Sequence, residues 1–185
     1  MMKTQISGHA RLLGAEINTD INCSSKYLPG KDNAYIAQHA FDNVAPGFAS
    51  RFKAGDVIVA GKNFGINSSR EQAVHIMKLM GVAAIVAPAF GRQFFRNAIN
   101  NGMPVVECEI AGIADGDAIA IDLAHGTVAV GARGIGRGPS ILRTVRNAFR
   151  HGRVCCVQQG AVDCPATTDR SRQCRRPRRS LAPLF

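Results

Sequence analysis

Residues 57–88 read VIVAGKNFGINSSREQAVHIMKLMGVAAIVAP, and this stretch decides the fold. Val57-Ile58-Val59-Ala60 is a short apolar strand, entered from a Gly55-Asp56 turn and closed by Gly61. Ser68-Ser69-Arg70-Glu71 opens a helix whose apolar positions are Ala73, Ile76, Met77 and Met80, with Gly81 as its C-cap. Val82 to Ala87 is a continuous apolar run between Gly81 and Pro88, which suits a strand buried on both faces. Further on, a second helix spans about Gly91 to Asn100 and stops at Asn101-Gly102, after which Val105-Val106 starts another strand. Strand, helix, strand, helix, strand with short connections is the pattern of parallel βαβ units, so the expected fold class is α/β.

The flanks extend this frame. Ile6 to Leu13 alternates weakly and reads as a strand, and residues 34–43 carry apolar positions at helical spacing before Pro46-Gly47. Gly116-Asp117 leads into Ala118 to Leu123, and His125-Gly126 turns the chain back through Thr127 to Val130 as a hairpin. There is no internal repeat of useful length.

The formal net charge of +10 on 185 residues is unevenly spread. Residues 1–130 hold 11 Lys+Arg against 11 Asp+Glu, whereas residues 131–185 hold 12 Arg, two Asp and neither Lys nor Glu. The organisation expected is a domain over 1–131, a closing helix within 132–152, and an Arg-rich basic tail over 153–185 that is disordered or read out of frame. Aromatic content of 6% with no Trp argues against a base-stacking surface, and the Arg run lacks a recognisable nucleic-acid module. No apolar run reaches the ~18 residues of a membrane helix, and no signal-peptide pattern opens the chain. Six cysteines in a chain of this length make no disulfide scaffold. The expectation is a soluble, cytoplasmic protein.

Chemistry concentrates in the loop from Gly61 to Glu71. A glycine-containing connection between a strand and a helix N-terminus presents unpaired N–H groups and the positive end of a helix dipole. A hydroxyl held there can be stabilised as an alkoxide, and an adjacent arginine can clamp a carboxylate with two parallel bonds. The competing reading is structural: Ser68-x-x-Glu71 is also a capping box, with Arg70 solvated. Asn67 suits either, because asparagine tolerates positive φ at a tight turn. Arg92 and Arg96 share one helix face and read either as a second carboxylate site or as ordinary exposed arginines. Asn18-Thr19-Asp20 reads as a turn, with an acidic group that could instead reach a catalytic hydroxyl. Cys155, Cys156, Cys164 and Cys174, spaced by one, eight and ten, match no zinc or iron–sulfur template, and the five histidines form no ligand pair.

Three ordered motifs then coincide. Asn18-Thr19-Asp20 with Lys26-Tyr27-Leu28, Gly61-x-Asn63-Phe64-Gly65-x-x-Ser68-Ser69-Arg70-Glu71, and Phe90-x-x-x-Phe94-Phe95-Arg96-Asn97-x-x-Asn100-x-Gly102 together resemble the 3-isopropylmalate dehydratase small-subunit family, the counterpart of the aconitase swivel domain. The match runs through about residues 8–131. The resemblance implies a swivelling β/β/α domain that works with a separate large subunit carrying a four-iron four-sulfur cluster, on a 2-hydroxy dicarboxylate substrate. It implies hydro-lyase chemistry in leucine biosynthesis, with Ser68 as the base, Asp20 close to it, and Ser69 and Arg70 on the substrate carboxylate. It also points to the loop Pro29-Gly30-Lys31-Asp32-Asn33 for substrate choice, where Lys31 stands as the only cation. Asn67 replaces the usual glycine before the serine pair, and Gln72 the usual histidine after Glu71. Sister hydro-lyases acting on homoaconitate, methylmalate or citraconate, or a non-catalytic subunit whose basic tail binds nucleic acid, are the alternatives.

Overall fold

A computed structural model of the chain describes residues 5–131 and the backbone of residues 133–137. Seven strands form one mixed sheet in the order β4-β3-β2-β1-β5-β6-β7. They are β1 (Gln5–Leu13), β2 (Val57–Ala60), β3 (Ala84–Ala87), β4 (Val105–Glu107), β5 (Ala118–Asp122), β6 (Thr127–Val130) and β7 (Arg133–Arg137). Strands β1 to β4 run parallel, and β5 to β7 continue from the other edge of β1 in antiparallel sense. β1 serves both halves: its residues 5–9 pair with β5, and its residues 10–13 pair with β2.

The layers follow from which side chains are apolar. Ile58, Ala60, Ile85, Ala87 and Val105 face one core, shared with the helices α1 (Asn33–Gln38), α2 (Phe48–Arg51), α3 (Gln72–Leu79) and α4 (Arg92–Asn100). The alternate residues Val57, Val59, Ala84, Val86 and Val106 face a second core with Ile119, Ile121, Val128 and Val130 of the antiparallel strands. The parallel strands are thus covered on both sides, which is why they read as unbroken apolar runs. In β5 only Ile119 and Ile121 are buried while Ala118 and Ala120 face solvent, the alternation of a sheet covered on one side. This is the expected β/β/α arrangement.

The structure departs from the sequence reading in three places. The helix expected over 34–43 ends at Gln38, and Phe41 takes a positive φ of 67° inside the turns that follow. The helix expected to open at Ser68 begins at Gln72. The sheet also continues beyond residue 131, where β7 pairs with β6 and satisfies an edge that would otherwise present bare N–H and C=O groups. The closing helix, the basic tail and the four C-terminal cysteines lie outside the described residues. Among the described residues no helix is long and apolar enough to cross a membrane.

Candidate active site at the carboxyl ends of the parallel strands

In an α/β sheet the carboxyl ends of parallel strands are where loops can build a site. Here β1 runs out into Gly14–Asp20, β2 into Gly61–Glu71, and β3 into Pro88–Gly91. Backbone bonds lace the three loops together. Glu16 N–H donates to the Lys62 carbonyl at 2.8 Å and Gly65 N–H to the Ile17 carbonyl at 2.7 Å, while Gly91 N–H donates to the Phe64 carbonyl at 2.7 Å. Two glycines make that approach possible. Gly65 has φ +78°, and a Cβ there would sit 2.3 Å from the buried Phe94 side chain; a Cβ on Gly91 would lie 2.1 Å from the Gly65 carbonyl oxygen. Asn67 takes φ +53°, the left-handed conformation its side chain tolerates.

The centre of the site is the Asp20 carboxylate, on a single 3₁₀ turn (Thr19–Ile21) whose N-cap, Asn18, accepts the Asp20 N–H at 3.0 Å. Asp20 is 3% exposed. Oδ1 accepts from the Arg70 N–H at 3.1 Å, the Ser69 N–H at 3.2 Å and the Ser68 hydroxyl at 3.3 Å. Oδ2 accepts from the Ser69 hydroxyl at 2.9 Å and shares the Ser69 N–H at 3.2 Å. Burial pushes this carboxyl up, but the Arg70 and Ser69 N–H groups and the two hydroxyls outweigh it and hold it below the ordinary range. Asp20 is therefore an anion held by neutral donors, and it fixes the backbone from Ser68 to Arg70.

This geometry settles the capping question. Ser68 is 1% exposed, and its hydroxyl bonds to Thr19 Oγ1 and to Asp20, not to a helix N–H. The N-cap position falls instead to Glu71, and no side chain caps the end. The capping box does not form because the Ser68 hydroxyl is taken up by Thr19 and Asp20 and the Ser68 N–H, which Glu71 would have to reach, donates to the Gly65 carbonyl at 3.3 Å. Since ionised Asp20 can only accept, the Ser68 proton points to it, and Thr19 donates to Ser68.

Asp20, Ser68, Ser69 and Arg70 thus converge, whereas Lys31 shares none of these bonds and holds its ammonium 4.9 Å from the centre of the Tyr35 ring. Arg70 is exposed, and its Nη1 donates to Ser25 Oγ at 3.1 Å. Its guanidinium is turned to Ser25 rather than toward Ser68. Sequence reasoning missed Thr19 and Ser25 as partners of the site. Thr19 is adjacent to a named residue; Ser25 carries no local signal, because its partners lie 45 and 47 residues away. The two helix arginines, Arg92 and Arg96, are exposed on α4.

The described residues do not offer a metal cluster its ligands. Among them no group of three His, Cys, Asp or Glu side chains could hold a metal ion. Of the two described cysteines, Cys23 is buried and its thiol is pushed well up by burial, while burial raises Cys108 to about 11.

Residues 9–109 match the family described as the Aconitase C-terminal domain. The 3-isopropylmalate dehydratase small subunit of Sulfurimonas denitrificans is 43% identical over 129 residues, covering 69% of this chain and 77% of the relative. Its counterpart from Sulfolobus acidocaldarius is 44% identical over 130 residues, covering 69% and 81%. Among solved structures, 3-isopropylmalate dehydratase from Methanocaldococcus jannaschii superposes with a TM-score of 0.63 at 32% identity, covering 80% of this chain and 98% of that one. The laced loops around Asp20 thus occur in a chain that belongs to the 3-isopropylmalate dehydratase small-subunit family, built on the aconitase C-terminal domain.

Proposed function

We propose that this chain is the small subunit of a heteromeric hydro-lyase that interconverts 2-isopropylmalate and 3-isopropylmalate in the cytoplasm. The reading rests on family membership and on one observation: a buried carboxylate, Asp20, sets Ser68, Ser69 and Arg70 side by side at the carboxyl ends of the parallel strands. Ser68 acts as its alkoxide, having given its hydroxyl proton to solvent. Oγ takes the proton from the carbon beside a substrate carboxylate and becomes the hydroxyl, while the hydroxide that leaves the neighbouring carbon takes up a solvent proton and departs as water. Re-addition of water to the other carbon completes the isomerisation. The large subunit supplies the iron–sulfur Lewis acid that draws off the hydroxyl.

The residues gathered around Asp20 divide that chemistry among them. The negative charge that Ser68 Oγ carries before it takes the substrate proton is met by the Thr19 hydroxyl. Asp20 is a positioning residue, since its depressed pKa makes it a poor proton acceptor. One of the five N–H groups of Arg70 goes to Ser25, which leaves the rest of its fork for a substrate carboxylate. Ser69 lies next to it. Lys31, exposed in the turn before α1, is assigned to a distal group of the substrate.

The test is reconstitution. The chain is mixed anaerobically with the cluster-loaded large subunit from the same source, and alkene formation from 3-isopropylmalate is followed. Ser68→Ala is expected to lower kcat by about a thousandfold without disturbing assembly, the range of a lost general base. Full activity in that variant would remove Ser68 from the reaction. Turnover of methylmalate or citraconate but not isopropylmalate would keep the mechanism and change the substrate.

A further inference from the structure

The side chain of Gln72, the first residue of α3, reaches Ser25 and Asn33, 47 and 39 residues upstream. Its Oε1 accepts from both the Ser25 N–H and the Ser25 hydroxyl, each at 3.0 Å. Its Nε2 donates to Asn33 Oδ1 at 2.7 Å, at the first residue of α1. The amide can serve all three only in this orientation, since its oxygen faces two donors and its nitrogen an acceptor. Ser25 Oγ in turn accepts from Arg70 Nη1 at 3.1 Å. The Ser25 hydroxyl has a single proton. Because that proton is committed to Gln72, the lone pairs of Ser25 Oγ are what Arg70 meets.

We propose that Gln72 is a positioning residue for substrate binding: by orienting the Ser25 hydroxyl it aims the Arg70 guanidinium, and by holding Ser25 and Asn33 together it pins both ends of the Lys26–Asp32 loop against the site. The proposal rests on the reading of Arg70 as the carboxylate clamp. It adds the element that decides where the clamp stands. Arg70 is exposed and, among the described residues, Ser25 is the one side chain that bonds its guanidinium. A long, flexible cation with one tether is free to swing once the tether is lost, and the ordering cost then falls on substrate binding. The effect therefore belongs to KM. The Ser68 hydroxyl, held by Asp20 and Thr19, does not depend on Gln72 for any of its bonds.

The experiment is steady-state kinetics on the reconstituted holoenzyme, with 3-isopropylmalate as substrate, for Gln72→Ala, Ser25→Ala, Arg70→Ala and the double variant Gln72→Ala/Arg70→Ala. Gln72→Ala is expected to raise KM by about tenfold and to change kcat by less than about twofold, the pattern of lost uniform binding. Gln72→His, which can both accept and donate, is expected to recover most of that loss. In the Arg70→Ala background, Gln72→Ala should add less than about twofold, because the two residues act through one link. Fully multiplicative effects, or a fall in kcat with KM unchanged, would overturn the proposal. If Gln72→Ala does not assemble with the large subunit, Ser25→Ala breaks the same link, and an unchanged KM there overturns the proposal equally. Should Arg70→Ala itself leave KM unchanged, the fault lies with the reading of the clamp; a KM effect for Arg70→Ala but none for Gln72→Ala or Ser25→Ala sinks only the role given to Gln72.

Discussion

Asp20 and Asp56 stand at opposite ends of the parallel strands, each 3% exposed and each ionised below the ordinary carboxylate range, yet they are held by different partners. Asp56, at the amino end of β2, has a cation against it. Arg11 Nε lies 2.7 Å from its Oδ2, the Lys53 and His9 N–H groups donate at 3.1 and 3.3 Å, and the His9 imidazole Nδ1 lies 3.5 Å from Oδ1. Burial pushes Asp56 up, and Arg11 with those N–H groups brings it down past its starting point. Asp20 reaches the same ionisation with neutral donors alone. The contrast separates two uses of a buried anion. A paired carboxylate at the closed end of the sheet secures β1 to β2, whereas an unpaired one at the open end shapes a loop and leaves the neighbouring cation, Arg70, turned outward to Ser25.

The sharpest way to break that distinction is Asp20→Asn. An amide nitrogen there would confront the N–H and hydroxyl donors of Ser69, so the Ser68–Arg70 loop must reset. We expect kcat of the reconstituted enzyme to fall by about a hundred- to a thousandfold, on the scale of a lost preorganised hydrogen bond. The accompanying stability loss, from buried donors left unsatisfied, is roughly 1–3 kcal/mol. Kinetics and a denaturant melt on the same preparation decide it. A large loss of stability with kcat intact would make Asp20 merely a second structural carboxylate.

Asp56→Asn should show the reverse. It leaves Arg11, only 18% exposed, with no anion but the half-exposed Asp115 carboxylate, 4.0 Å from its Nη1. Breaking such a pair costs roughly 2–4 kcal/mol, the lower end allowing for the partial exposure of Arg11. The fraction that remains folded should turn over within about twofold of the parent, since nothing at Asp56 touches the site loops. Urea unfolding and kcat measured well below the melting range check both halves. Impaired turnover with unchanged stability would collapse the contrast from the other side.

What the sequence made legible follows the same division. The parallel strands were readable because burial on both faces leaves an unbroken apolar signature, and the Val57–Ala60 and Ala84–Ala87 strands fall inside the runs that announced them. The site loop was readable by its motif, but its geometry was not. Ser68-x-x-Glu71 is a sound local signal for a helix start, and it loses to Thr19 and Asp20, 49 and 48 residues away, which take up the Ser68 hydroxyl. No local pattern reports such a competitor. The link from Gln72 to Ser25 was hidden for the same reason: sequence marks Gln72 only as an unusual residue for the family, and the partner that gives it meaning lies 47 positions upstream. β7 was missed because Arg133-Gly134-Ile135-Gly136-Arg137 has weak strand propensity, and the free edge of β6 overrides it.

The smallest effect, and the one that compares the two anions on a single scale, is the acid limb of stability. An unfolded aspartate titrates near about 3.9, and both Asp20 and Asp56 titrate lower in the folded chain. The unfolded chain then binds more protons in this range, so stability rises with pH there. The contribution of each is complete by about pH 5 and is lost as pH falls through the folded values. Asp122, drawn down to about 2 by the side chain and backbone of His125, is common to every variant, so it cancels in the comparison. Urea stability measured between about pH 2.5 and 6 should therefore climb most steeply in the parent and less steeply in Asp20→Asn and Asp56→Asn, each variant having lost one group of the same sign. Parallel acid limbs in all three would mean that neither aspartate is held more firmly as an anion when folded. In that case the hydrogen bonds on Asp20 would shape the loop without favouring its charge, and the cation beside Asp56 would be decoration on a packing contact.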